Sequence, residues 1–281
     1  MKKIDLDQLP RWTPWPARLL GLNQWQPAPR TLDKIEGEYD QDKYASMLES
    51  FRAAGGRWTP EEVRRGQYGK PQDAEICMVW RNELFLTTLR EGRELLYAYM
   101  KEVLGPAMEK AATVVELGCG FGYNLWMFSR WFPDKLFLGG DFSANAVRLA
   151  GELNAASKNL RFRQFNFYDP DYRLLEEAQP PCLVLTYHAL EQVPRAGCLF
   201  DALAQRRQAI SSVFHFEPIF GLQGEDLMGL LRRRYIEVND YNRDLWELVN
   251  NRPEVEVVQS QANVVGLNPM NPSSVVEWRF R

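Results

Sequence analysis

Val114-Val115-Glu116-Leu117-Gly118-Cys119-Gly120-Phe121-Gly122 decides the reading of this 281-residue chain. The apolar run over 112–117 reads as a strand, and residues 123–131 read as a helix. Between them lies a turn with glycine at every second position. Glycine admits positive φ and lets a ligand approach the backbone with no side chain between. The helix start beyond it favours an electron-rich or negatively charged group. A dinucleotide loop, GxGxxG, uses its third glycine for close helix–strand packing. Here the spacing is GxGxG, and Tyr123 stands where that third glycine would be. Glu116, just before the loop, repels a pyrophosphate and suits a ligand that carries a cationic group.

Downstream, short strands alternate with helices. Residues 135–140 read as a second strand ending at Asp141, and 143–154 as a helix that Ser143 can cap. A third strand is expected over 160–166, a fourth over 182–187 and a fifth over 212–217, with a helix around 199–208. This alternation implies right-handed crossovers and a largely parallel sheet with helices on both faces. Residues 222–251 interrupt the rhythm with helical character. Two closing strands, 254–259 and 274–280, flank a Pro/Asn-rich turn over 266–272.

Upstream the composition differs. Residues 1–80 hold Trp12, Trp15, Trp25, Trp58 and Trp80, five of the nine tryptophans. Pro10, Pro14 and Pro16 make residues 9–16 read as an extended arm, because proline removes a donor and restricts its predecessor. Tyr44, Met47, Leu48 and Phe51 are spaced i, i+3, i+4, i+7 and predict an amphipathic helix stopped by Gly55-Gly56. A longer helix is expected over about 82–103, with Leu95, Leu96, Tyr99 and Val103 on one face and Gly105-Pro106 ending it. No strand is expected in this third. The chain therefore divides into a mainly helical and irregular cap, 1–106, and an α/β core, 107–281, with a helical insertion at about 222–251.

Composition narrows the function. Apolar residues make up 45% and charged residues 25%, which excludes a mainly disordered chain. Lys+Arg is 34 against Asp+Glu 37, so no surface for neutralising phosphates is expected and nucleic acid is disfavoured as a partner. Arg232-Arg233-Arg234 reads as a solvated helix face. No run of about 18 apolar residues predicts a membrane span, and no apolar stretch follows Lys2-Lys3 to make a secretory signal. Cys77, Cys119, Cys182 and Cys198 form no CxxC pair and fit a reducing cytoplasm. Asp169 and Asp171 lack the convergent oxygen set of a hard cation, so no metal is expected. No feature of the sequence signals an oligomeric state.

Several residues together resemble the class I S-adenosylmethionine (SAM)-dependent methyltransferases. Glu116-Leu117-Gly118-Cys119-Gly120-Phe121-Gly122 looks like that family's first motif. Asp141 stands where the family places the acid that holds the ribose hydroxyls, a role suited to a carboxylate accepting two donors. Asn166-Phe167 stands where the family has an Asp and a small or apolar residue near the adenine, so Asn166 is a departure. Residues 183–193 look like the fourth motif, and the closing antiparallel strand pair also matches. The resemblance covers about residues 107–281. It implies a doubly wound, seven-stranded, mostly parallel sheet with the last strand antiparallel. It further implies SAM as cofactor, S-adenosylhomocysteine (SAH) as product, and cofactor contacts from Glu116, Gly118, Cys119, Gly120, Gly122, Asp141, Phe142, Asn166, Phe167 and Tyr187. Arg81, before the long helix, is the choice for the methionine carboxylate.

Ligands of open parallel sheets bind beyond the carboxyl ends of the strands. Both histidines fall there, His188 after the fourth strand and His215 near the end of the fifth. Displacement at a sulfonium methyl has a good leaving group, so positioning of the nucleophile dominates. A base helps when that nucleophile is a hydroxyl or a protonated amine. His188 is the first candidate, with His215 and Glu217 second as base or substrate anchor. Glu191 and Glu217 are candidates to hold a cationic substrate. Tyr44 and Phe51 are candidates for an apolar wall around the acceptor. The expected activity is methylation of an oxygen or nitrogen of a small molecule in biosynthesis. Two alternatives stand: N-methylation of a peptide or protein side chain at a guanidino or amine group, and a non-catalytic SAM-binding regulatory module. Tyr123 counts against a dinucleotide-dependent oxidoreductase.

Overall fold

The computed structural model describes residues 1–27, 31–67 and 69–281. Among these, ten strands form one sheet. They are β1 (Lys2–Ile4), β2 (Glu75–Trp80), β3 (Glu83–Thr88), β4 (Thr113–Leu117) and β5 (Leu136–Asp141), then β6 (Leu160–Gln164), β7 (Cys182–Tyr187), β8 (Ile210–Glu217), β9 (Val255–Gly266) and β10 (Ser273–Phe280). Their order across the sheet is β1-β3-β2-β9-β10-β8-β7-β4-β5-β6. Neighbours from β6 to β8 run parallel, and β10 is antiparallel to both β8 and β9. Every residue of β4 is buried, as expected of a central parallel strand covered on both faces.

The helices are α1 (Trp15–Leu19), α2 (Leu32–Glu36), α3 (Ala45–Ala53), α4 (Pro60–Gln67), α5 (Leu89–Lys110), α6 (Tyr123–Trp131), α7 (Ala144–Leu153), α8 (Gly197–Ala204), α9 (Leu227–Val238) and α10 (Leu245–Asn251). One face of the sheet packs in a single core with α3, α5, α6 and α7, through Leu48, Met100, Phe128 and Leu149. The other packs with α8 and α10, through Phe200, Leu203, Val249 and Trp278. A third cluster joins β1, β2 and β3 to α9. The 222–251 stretch thus carries α9 and α10. No helix among the described residues is long and apolar enough to cross a membrane.

The mixed α/β sheet agrees with the sequence reading, but its size does not. Strands β4 to β10 make seven, and the supposedly strandless first third adds three more. The reason lies in β2, where Ile76-Cys77-Met78-Val79 shows no alternation because both faces are covered. Ile76 and Met78 join the core beneath α5, whereas Cys77 and Val79 face α9. Strand β3 then runs into α5 without a break, so residues 83–88 were absorbed into the expected helix. The boundary is marked by a capping box: Thr88 Oγ1 accepts from Glu91 N–H, and the Glu91 carboxylate accepts from Thr88 N–H. Helix α5 also continues through Gly105-Pro106, with Leu104 and Met108 buried on either side of the proline. The proline-rich arm is not extended. It forms a 3₁₀ turn, Leu6–Arg11, and then α1, whose first turn holds Pro16 where a missing N–H costs nothing.

The glycine turn lies between β4 and α6 and is pressed onto β5. Gly122 has φ +77 and caps α6, and a Cβ there would overlap the Phe162 ring. Gly139 is needed for space alone, since its Cβ would lie 2.7 Å from both Cys119 Sγ and Phe162 Cδ1. Gly122→Ala should therefore destabilise the protein by about 2–4 kcal/mol, combining left-handed strain with overpacking. Urea denaturation checks this, and an unchanged midpoint would show that the turn tolerates a side chain.

Candidate active site

The site begins with backbone donors at the end of β5. Gly118 and Cys119 donate their N–H groups to Gly140 O at 2.7 and 2.9 Å. The buried carboxylate of Asp141 accepts Gly120 N–H at Oδ2, 2.7 Å, and Ser143 N–H at Oδ1, 3.0 Å. Burial raises the Asp141 pKa, partly offset by these two backbone bonds. These bonds hold the loop along the end of β5.

Two cavities meet above it. The larger, about 390 Å³, is lined by Asp141, Phe142, Asn166, Phe167 and Tyr168, with Asp33 and Glu36 from the N-terminal layer. The smaller, about 220 Å³, is lined by Glu116, Cys119, Asn124, Tyr187, Glu191, Lys43 and Arg64. Tyr39, Tyr44, Gly118 and His188 line both. Tyr39 and Tyr44 belong to a π-helical stretch, Gly37–Tyr44, laid across the opening. Asp40 ties this stretch to the start of α7, accepting from Ser143 Oγ at 2.6 Å and from Asn145 N–H at 3.0 Å.

The charges are unevenly satisfied. Glu116 accepts from Asn124 Nδ2 at one oxygen, 2.6 Å, while its buried Oε2 has no protein partner. Burial pushes its pKa up to about 8. Lys43 is half-buried, with Nζ 5.0 and 4.8 Å from the ring centres of Tyr39 and Tyr44. Burial, followed by the nearby Arg64 charge, lowers its pKa to about 8. Burial also pushes the Cys119 thiol well above its ordinary value, which leaves it protonated.

His188 sits at φ 47 between the two cavities, a strained conformation for a residue with a Cβ. Its Nδ1 lies 2.9 Å from Glu191 Oε2 and its Nε2 2.9 Å from Ser273 Oγ. Burial alone would lower its pKa, but the Glu191 carboxylate beside it carries the balance upward. Glu191 also accepts from Asn271 Nδ2 at 3.2 Å and from Gln192 Nε2 at 3.0 Å.

Four expected site residues lie elsewhere in the structure. His215 is fully buried and lines neither cavity. Its Nε2 accepts Trp278 Nε1–H at 2.9 Å, so the proton resides on Nδ1, which donates to Thr186 Oγ1 at 2.8 Å. Burial lowers its pKa to about 3. It is a neutral core histidine, not a base. Glu217 is also buried, and its carboxylate accepts the N–H groups of Ala189, Leu190 and Glu191 at 3.0–3.1 Å. Burial, then the Glu191 charge, pushes its pKa up to about 7. Glu217 shapes the turn that carries His188 and lines neither cavity. Phe51 packs in the core beside Gly56. Arg81 forms the β2–β3 turn with Asn82, both at positive φ, and lines a groove with Tyr99 and Lys110 away from the glycine loop.

Lys43, Arg64, Tyr39, Asn271 and Ser273 were missed. No local pattern marks them, because packing of the N-terminal layer and of β10 brings them to the loop. Among the described residues, no group of three or more His, Cys, Asp or Glu side chains could hold a metal ion.

No protein-family model and no curated protein matches the sequence. Similar solved structures include a SAM-dependent methyltransferase from Anabaena variabilis, 15% identical, covering 60% of this chain and 77% of that one, with a TM-score of 0.43. The plantazolicin methyltransferase BpumL, solved with SAH and a desmethyl-plantazolicin analogue, is 14% identical, covering 61% and 77%, with a TM-score of 0.41. The pyocyanin biosynthetic protein PhzM is 14% identical, covering 60% of this chain and 50% of that one, with a TM-score of 0.45.

The His215 environment sets an acid limit on stability. Its pKa falls from 6.5 to about 3 on folding, so the unfolded chain binds the extra proton. Its contribution is complete above pH 6.5 and is lost as pH falls towards 3. His215→Gln should flatten the dependence of Tm on pH between 4 and 6.5. An equally steep slope in the variant would assign the acid sensitivity to other groups.

Proposed function

We propose that the chain is a SAM-dependent methyltransferase acting on an oxygen or nitrogen of a small molecule. The observation that carries this reading is the glycine loop held along β5 by Asp141, with the partnerless Glu116 Oε2 buried beside it. The residues fit the cofactor. A Cβ at Gly118 would overlap Ala189, and one at Gly120 would lie 2.5 Å from the Tyr44 hydroxyl, so this surface is kept bare. Each Asp141 oxygen retains a second lone pair for a ribose hydroxyl. Asn166 Oδ1 is committed to Tyr168 N–H at 3.0 Å, so its Nδ2 is what it can offer a purine. Phe142 and Phe167 line the same cavity as apolar surfaces. SAM bound here supplies a methyl group on a sulfonium that leaves readily.

His188 is the group placed to take a proton from the acceptor. Glu191 holds the proton on Nδ1, which leaves the Nε2 lone pair facing Ser273 Oγ. Once the bond to the buried Ser273 hydroxyl is released, Nε2 could take the proton of an acceptor hydroxyl within its reach. Residues of the N-terminal layer line both cavities, and volumes of about 390 and 220 Å³ support a small acceptor over a protein side chain. A guanidino or amine acceptor finds no support in Glu191 and Glu217, whose oxygens already accept from the protein.

SAH at about 100 times its Kd should stabilise the protein by about 2.7 kcal/mol, and NAD should not. Thermal melts with each ligand decide this. Stabilisation by NAD and not by SAH overturns the cofactor reading. His188→Ala should lower kcat by about 10²–10⁴-fold, read as SAH formation, with SAH affinity preserved. Unchanged turnover removes His188 as the base.

A further inference from the structure

Glu191 is buried, and its carboxylate is held at both oxygens. Oε1 accepts from Gln192 Nε2 at 3.0 Å, and Oε2 accepts from two donors, His188 Nδ1 at 2.9 Å and Asn271 Nδ2 at 3.2 Å. Asn271 Nδ2 also lies 3.5 Å from His188 Nδ1, so the amide sits in the angle between ring and carboxylate. Asn271 Oδ1 is buried with no hydrogen-bond partner among the described residues, which costs stability. Turning the amide over would set that oxygen against Glu191 Oε2, so the carboxylate decides its direction. The turn that carries Asn271 is fastened to α9. Met270 shares a buried cluster with Leu231, Tyr235 and Ile236. Arg232, expected on a solvated face, is buried instead; its Nε donates to Pro269 O at 3.2 Å and its Nη1 to Asn82 Oδ1 at 2.7 Å. The same 222–251 segment grips the chain at Glu191 itself, where Asn242 N–H donates to Glu191 O at 2.8 Å and Asn242 Nδ2 to Val193 O at 2.8 Å.

We propose that Asn271 is a positioning residue for His188, pinning the Glu191 carboxylate to Nδ1, and that Arg232 fixes the turn from which it does so. This rests on the reading of His188 as the base. A neutral imidazole carries its proton on either nitrogen. On Nδ1 the proton faces Glu191, and Nε2 keeps its lone pair. On Nε2 the proton faces Ser273 Oγ, and the ring has no lone pair on that side to take another. The hydrogen bond at one nitrogen sets the state of the other, and a supporting donor on Glu191 Oε2 keeps that bond in place. Asn271 lines neither cavity, so its effect on the ring passes through Glu191.

Ring ¹⁵N shifts of the whole chain, labelled at histidine and read at about pH 9 with the ring neutral, report the tautomer with no acceptor and no turnover. The chain has two histidines, and His215, fixed between Thr186 and Trp278, is the internal reference. An unmoved His215 signal reports that a variant is folded. Wild-type His188 should hold the Nδ1–H form. Asn271→Leu should raise the share of the Nε2–H form by about threefold or more. Asn271→Ser, too short to reach Glu191, should do the same, and Arg232→Met should act in the same direction. In Glu191→Ala the acceptor is gone, and adding Asn271→Leu should change the ring no further. An unchanged tautomer ratio in Asn271→Leu, or an effect undiminished in the Glu191→Ala background, overturns the assignment of Asn271. Turnover unaffected by His188→Ala removes the base and leaves the tautomer result to decide the role of Asn271.

Discussion

The carboxylate of Asp141 holds the site together. It ends β5, caps the next turn through Ser143 N–H, and draws in the Gly120 N–H of a loop belonging to the neighbouring strand. Without it, the loop after β4 would be joined to β5 only through Gly140 O. The bond is charge-assisted and buried, so it is worth more than a neutral one and costly to leave half-made. Its price is a carboxylate in a low-dielectric setting, visible as a pKa raised by burial. Bare space around it follows from the same contact, because Gly139 and Gly140 must lack side chains for Cys119, Phe162 and Phe165 to close in.

The N-terminal layer rests on this tie. Asp40 caps α7 from outside, bonding Ser143 and Asn145 two and four residues after Asp141. On the far side of the loop, Arg93 is buried with Nη2 3.0 Å from both Glu61 Oε2 and the Tyr123 hydroxyl, and Tyr123 donates to Glu61. This cluster joins α4, α5 and α6. The Tyr123 and Arg93 bonds overcome burial and hold Glu61 below the ordinary carboxylate range. Tyr123, which broke the dinucleotide pattern, therefore has a structural task of its own. Lys43 and Tyr44 lie between these two anchors and Tyr39 and Arg64 just outside them, so this attachment sets walls of both cavities.

Legibility in the sequence followed the range of the interactions. The strand–turn–helix around Gly118 is local, and its glycines and its flanking acid could be read from spacing. The alternation after residue 112 likewise gave the strand positions of the parallel half, since each element there pairs with a neighbour close in the chain. Strand β2 could not be read, although it pairs along its length with the adjacent β3, because burial on both faces removes the alternation; its other edge meets β9 only at Val79 and Trp80. The histidines show the limit most clearly. Both fall at strand ends, but β8 turns His215 towards Trp278, and only the tertiary pairing reveals which face is core. A period of two says that His215 and Glu217 share a face, not that the face is wet. The capping box at Thr88 and Glu91 was a local signal that would have separated β3 from α5.

Four acids crowd the carboxyl ends of the strands, and their partners divide the labour among them. Asp141 and Glu217 spend their oxygens on backbone N–H groups and hold turns in place. Glu191 spends its oxygens on side chains and sets the proton of His188. Glu116 has one oxygen left over. Burial pushes its pKa up to about 8, and a neighbouring positive charge works against that rise by favouring the ionised form. Lys43, also lowered to about 8, responds in the opposite sense to a carboxylate, whose charge favours its protonated form.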